Sequence, residues 1–238
     1  MNISIDKLSK YCFLFFGFTT SAIFIYNIFS YYSFQAPDGD AHNEYVYYLS
    51  IYLPDSLKLP SMSDTYEYFS PPVAYFFPAL GIVLCRNIFI SEDYKTDCLD
   101  FYDNLGQAFL FFLFIIYIIT LFYISKRLFK DYLKFFIPLL ILTLSLSVNY
   151  QMFSSFRGET YILLFSSFVF LLLLKISQDS NINNFYYLYL GLLIGLMLLS
   201  RQWSVFFLPT IFTFWVMNKT SDLNKRKMFY MLFISGLI

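Results

Sequence analysis

The chain has 238 residues, 58% of them apolar and 13% charged, with a mean hydropathy of +0.59 and a formal net charge of +0 at pH 7. A water-soluble globular domain carries about 25% charged residues, so this composition excludes one. The balanced charge gives no reason to expect nucleic acid as a partner.

The first element is an apolar run over 11–32. At about 22 residues it is too long for a signal-peptide core, and no small-residue cleavage site follows it. It is expected to be a retained first transmembrane helix. A first outer loop then fills 34–104. Further spans are expected at 105–125, 135–153, 160–176, 185–200 and 203–217. A last apolar run, 228–238, ends with the chain and is too short to cross, so the chain is expected to be truncated at its C-terminus. The expected fold class is an all-α membrane protein with about six to seven transmembrane helices. Residues 1–238 form one transmembrane domain, with interfacial helices in the outer loop.

Segment 71–90 is apolar but opens on Pro71 and Pro72 and contains Pro78 and Arg86. Basic residues concentrate on the cytoplasmic side of membrane proteins. With 71–90 kept outside, the inner segments hold Lys7, Lys10, Lys126, Arg127, Lys130, Lys134, Lys175, Lys219, Lys225, Arg226 and Lys227, eleven of the 16 Lys and Arg. If 71–90 spans, the basic stretches 126–134 and 218–227 move outside and the acidic stretch 91–104 moves inside. The first arrangement is preferred, with the N-terminus cytoplasmic. It places the polar motifs of the chain on one side of the membrane.

Four motifs carry chemistry. Asp38-Gly39-Asp40-Ala41-His42-Asn43-Glu44 follows the first helix and includes the only histidine of the chain. A carboxylate here can accept a proton from a hydroxyl, and His42 with Glu44 can hold a divalent metal. The competing reading is a solvated helix N-cap. Tyr45, Tyr48, Leu49 and Tyr52 then recur at helical spacing, which suits an interfacial helix with its rings at headgroup level. Ser70-Pro71-Pro72-Val73-Ala74-Tyr75 is a loop-to-helix junction. Arg157-Gly158-Glu159 sits between two apolar runs, as a functional charged pair or a polar hairpin turn. Arg201-Gln202 tips a tight hairpin, where a guanidinium suits a phosphate or snorkels to lipid headgroups. Of the cysteines, Cys12 lies in an apolar run. Cys85 and Cys98 either pair, if both lie outside, or stay free.

In this order the motifs resemble the C-type membrane glycosyltransferases, which use polyprenyl- or dolichyl-phosphate sugars as donors. The Arg201-Gln202 pair is also similar to the dolichyl-phosphate glucose α-1,2-glucosyltransferases. Asp38-Gly39-Asp40 stands where many relatives carry Asp-Glu, and Ser70 where they often carry His or Lys. The resemblance implies transfer of a sugar from a lipid-phosphate donor to an acceptor hydroxyl on the outer or luminal face. It implies Asp38 or Asp40 as general base, Arg201 and Arg157 as donor-phosphate ligands, Glu159 and Gln202 as substrate-orienting residues, and His42 with Glu44 as ligands of a divalent metal. The implied partners are the lipid-linked donor, a glycan, lipid or protein acceptor, and the membrane itself. A bacterial plasma membrane is expected, or the ER membrane in a eukaryote. The competing readings are an inactive truncated fragment and a non-enzymatic scaffold or transporter component. Transporters place charges near helix midpoints, whereas these lie at helix ends.

Overall fold

A computed structural model describes residues 5–35, 38–53, 55–56, 58–89, 98–145, 153, 155–178, 183–217 and 230. Eight α-helices cover most of them: α1 Ile5–Ser30, α2 Gly39–Tyr52, α3 Val73–Phe89, α4 Leu99–Leu128, α5 Tyr132–Ser145, α6 Gly158–Gln178, α7 Asn184–Leu198 and α8 Leu208–Met217. No strand occurs among the described residues. Two helices, α4 and α6, are long and apolar enough to cross a membrane. Leu14–Ser30, Val73–Ile88, Tyr132–Leu144 and Asn184–Leu198 are shorter apolar helices.

The 30-residue α4 is the central post. Asp100 lies in its first turn and Lys126 and Arg127 in its last, matching the signs of the helix dipole. From residue 108 to residue 124 the helix carries no charge and is apolar nearly all round, as suits a helix enclosed by protein and lipid. Its neighbours pack in a readable register. Phe24 of α1 stacks on Phe111 and packs on Phe114 at centroid distances of 5.0 and 5.1 Å. Gly106 of α4 faces the ring of Phe156, just ahead of α6, and Arg127 Nη1 donates to Gln178 Oε1 at 3.1 Å. The helix α6 therefore runs parallel to α4 from the level of residue 106 to that of residue 127. Phe136 of α5 packs edge-on against Phe122. On the other flank of α6, Ile162, Val169, Leu173 and Ile176 share a core with Tyr187, Leu190, Ile194 and Met197 of α7 and Ile211 of α8.

The helix α3, by contrast, runs antiparallel to α4, along its other end. Phe77 stacks on Phe109 at 3.8 Å, Gly81 faces Tyr102, and Cys85 is disulfide-bonded to Cys98. Starting from the level of residues 106–109, α3 leaves in the opposite direction from α6. The free-thiol alternative for Cys85 and Cys98 is thereby removed, while Cys12 stays free.

Other expectations are modified. Within the expected span 203–217, residues Gln202–Phe207 form a 3₁₀ turn and only Leu208–Met217 is α-helical. Pro209 sits at the helix start, where its missing N–H costs nothing. The aromatic stripe of α2 does not face headgroups. Tyr45, Tyr48 and Leu49 are buried, and Tyr45 stacks on Tyr75 of α3 at 4.2 Å. Pairing with α3 gives those rings more apolar contact than the interface would. The expected span 135–153 begins within α5, but residues 146–150 lie outside the described residues. So does the terminal run 228–238 with its expected truncation, apart from Tyr230.

Candidate functional site

The site begins at the entry to α2. Asp38 is the N-cap, with a left-handed backbone (φ 61) and no side-chain capping bond. Aspartate is among the few residues that tolerate this conformation. The next position requires glycine, because a Cβ on residue 39 would overlap the carbonyl of Phe34. The tight turn leaves Asp38 and Asp40 exposed. Two residues on, His42 faces inward and is buried, with Nδ1 2.8 Å from Tyr75 Oη. Glu44 is exposed and leaves the helix on another side.

The second component is Arg201, at the turn after α7. Its Nη1 donates to Glu67 Oε2 at 3.0 Å and to Ser70 Oγ at 2.6 Å, and its Nε lies 3.2 Å from Glu159 Oε1. Ser70 Oγ in turn donates to Glu67 Oε2 at 2.5 Å, and Tyr45 Oη donates to the Ser70 carbonyl at 2.9 Å. The loop before α3, the start of α6 and the tip after α7 thus meet on one guanidinium. Gly158 permits the last of these approaches, since a Cβ there would overlap the Ser200 carbonyl oxygen. Placing Glu159 in the first turn of α6 also sets its charge against the positive end of the helix dipole.

The electrostatics follow from this packing. Burial lowers the pKa of His42, and the nearby Arg157 and Arg201 charges act in the same direction, against the pull of Glu67 and Glu159. The imidazole is held neutral at physiological pH. For Glu67 burial pushes upward, but the Ser70 hydrogen bond and the charge and hydrogen bond of Arg201 prevail, so the carboxyl titrates below its usual range. Arg157 differs from Arg201. Both carry a buried Nε with no hydrogen-bond partner, but Arg157 also has its Nη2 buried and unpartnered, and no carboxylate pairs with it among the described residues. Glu159 Oε2 is likewise buried without a partner.

Of the residues singled out from sequence, the structure brings His42, Glu159 and Arg201 into one cluster, with Arg157 near enough to His42 to act on its charge. Asp38 and Asp40 are exposed at the start of the helix that carries His42. Gln202 is exposed and starts the 3₁₀ turn. The suggested metal pair does not fit: His42 is bonded to Tyr75, Glu44 is on another side, and no group of three metal-ligating side chains forms among the described residues. Sequence reasoning overlooked Glu67. Its importance comes from Arg201, 134 positions along the chain, which no local pattern around residue 67 announces.

A buried arginine bridging two carboxylates and a second arginine with unused donors can bind an anion, and the exposed aspartates at the start of α2 can accept a proton. The family model for dolichyl-phosphate-mannose-protein mannosyltransferases matches residues 104–238. No curated protein and no solved structure matches the chain. The matched stretch contains Arg157, Glu159 and Arg201, while Asp38, Asp40, His42 and Glu67 precede it, and Glu67 pairs with Arg201 across the boundary. With more than half of its length matched, the chain belongs to the dolichyl-phosphate-mannose-protein mannosyltransferase family, one of the C-type membrane glycosyltransferase families.

Proposed function

We propose that the chain transfers a sugar from a lipid-phosphate donor to an acceptor hydroxyl at the outer face of the membrane. The observation that carries this reading is Arg157, whose buried Nε and Nη2 have no partner. A buried donor left unmade costs about 1–3 kcal/mol, more when charged, and an anionic ligand removes that cost. Arg201 already faces two carboxylates, so Arg157 is the primary phosphate ligand and Arg201 the support that fixes Glu159 beside it. In the transfer the bond from the sugar anomeric carbon to the phosphate oxygen breaks. A bond from that carbon to the acceptor oxygen forms, and the acceptor proton passes to Asp38 or Asp40. The departing phosphate keeps the electron pair and is stabilised by the guanidinium. Glu159, with one oxygen unengaged, orients the acceptor, and Gln202 orients the donor from the turn.

Two features support the outer face. A disulfide at Cys85–Cys98 fits an oxidising compartment. The register of α3, leaving the site away from α6, fits a segment 71–90 that stands outside the bilayer rather than crossing it. The N-terminus is then cytoplasmic.

The test is transfer of labelled sugar from a polyprenyl-phosphate donor by the reconstituted chain and its Asp38→Asn, Asp40→Asn and Arg157→Ala variants. One aspartate variant is expected to lose about 10²–10⁴-fold in rate, with melting unchanged because both side chains are exposed. Arg157→Ala is expected to raise KM for the donor and lower kcat. Unchanged transfer in all three sinks the assignment.

A further inference from the structure

The segment that carries Asp38 and Asp40 is tied at both ends to neighbouring residues of one helix. Before the turn, Ser33 donates through its backbone N–H to Asp103 Oδ1 at 3.1 Å, and its hydroxyl bonds the same oxygen. Asp103 is fully buried. Its Oδ2 accepts from Gln107 Nε2 at 2.7 Å, and the same Nε2 donates to the Tyr31 carbonyl at 2.5 Å. After the turn, Tyr102 Oη donates to Asn43 Oδ1 at 2.5 Å. Tyr102 is also fully buried, behind the ring of Phe156. Residues 33–35 and 38–43 thus belong to a strap whose ends return to positions 102 and 103 of α4, with Asp38 and Asp40 exposed between them. The Cys85–Cys98 disulfide closes the adjoining end of α4 onto α3, so the anchor is itself braced.

We infer that Tyr102 and Asp103 are positioning residues for the Asp38–Asp40 carboxylates, acting by clamping both ends of the 33–43 strap to α4. The inference rests on the proposed base role of those aspartates for its catalytic consequence, but not for its structural one. A buried carboxylate with three donors from two elements over-determines the strap's position, which a mobile surface loop does not need. A base displaced by about 1 Å loses on the order of 10²-fold in rate, so a rigid mount is what such a carboxylate requires.

The experiment has two arms on the full chain in nanodiscs, in a Cys12→Ser background with the disulfide oxidised. In the first, a spin label on Asp40→Cys reports strap mobility, with and without Asp103→Ala or the milder Tyr102→Phe. Both are expected to raise mobility at position 40, while a control label on Tyr189→Cys at an exposed position of α7 stays unchanged. Equal mobility at position 40 in all backgrounds overturns the inference, and this arm needs no enzymatic activity. In the second arm, transfer by Asp103→Ala and Tyr102→Phe with Asp40 intact is expected to show kcat lowered by about 10²-fold and about 3-fold respectively, with KM for the donor unchanged. Asp103→Asn, which keeps an acceptor for Ser33, is expected to recover part of the loss. A rise in KM with kcat retained overturns the positioning role. If mobility rises as expected but the parent chain transfers no sugar, the strap anchor stands and the transferase reading falls.

Discussion

Along α4, α6 and α7 position is fixed by apolar packing: Leu110, Leu164, Leu190 and Ile194 are each buried among other aliphatic and aromatic side chains. In the tier formed by α2, α3 and the turns at 157 and 201, position is fixed by polar pairs between residues 33 to 134 positions apart. The difference is one of tolerance. An aliphatic helix face accepts a neighbouring residue of similar volume at modest cost, whereas a buried carboxylate accepts only its donor. Stability is therefore spread over the bundle, while function is expected to rest on a few polar pairs in the tier.

That contrast is broken or sharpened by four experiments. The largest effect is expected from Arg201→Ala. It strands Glu67 and Glu159 beside each other and is expected to lower transfer by about 10²–10³-fold and stability by about 3 kcal/mol. Arg201→Lys is expected to recover little, since one ammonium cannot reach Glu67, Ser70 and Glu159 together. Recovery to parental activity would show that charge alone suffices and would erase the contrast. Replacing both Cys85 and Cys98 with alanine is expected to cost about 3 kcal/mol. The loss should appear as proteolytic sensitivity of the α3 region, with the α4–α6 contact intact by cross-linking. Leu190→Ala is expected to cost about 2 kcal/mol by leaving a cavity. It should reduce melting temperature while leaving kcat of the folded fraction unchanged; a selective loss of kcat would mean the bundle shapes the site directly.

The smallest effect is a pH dependence. Because the folded-state pKa of His42 is lowered, its contribution to stability is complete above the ordinary histidine value of about 6.5. It is lost as pH falls from there through the depressed folded value, where the buried imidazole must finally charge. Thermal melts between pH 7.5 and 5 should show this decline, and His42→Gln should flatten it. A decline of the same size in the variant would assign it to other groups.

The bundle was legible from sequence because length and apolar run are local properties. Residues 105–125 and 160–176 lie within α4 and α6, and the carboxylate, Arg-x-Glu and Arg-Gln motifs stood out because charge is rare in such a chain. Glu67 was not legible, since its importance comes from Arg201, 134 positions away, and nothing local marks it. Asp103 was hidden for a related reason: a carboxylate at the start of an apolar helix reads as a dipole-stabilising residue until Ser33 is seen on it. The stripe at Tyr45, Tyr48 and Leu49 was correctly periodic but given the wrong neighbour, because periodicity tells which face is apolar and not whether lipid or α3 covers it. The 3₁₀ turn over Gln202–Phe207 was read as span because hydropathy does not distinguish helix types.

The length of α4 has a consequence for the membrane around it. Thirty residues make ~45 Å of helix, while a hydrocarbon core needs about 30 Å. On the proposed topology Lys126 and Arg127 hold the inner end at the interface, and the surplus of roughly ten residues would lift Tyr102 and Asp103 to the height of the lipid phosphates. On that reading bilayer thickness would set the vertical match between the carboxylate strap and the proposed lipid-borne donor. A thicker bilayer would immerse the strap's anchor, and a thinner one would raise the strap above the phosphate plane. Turnover in vesicles of graded acyl-chain length should accordingly pass through a maximum, with the chain behaving as a gauge of the membrane that holds it.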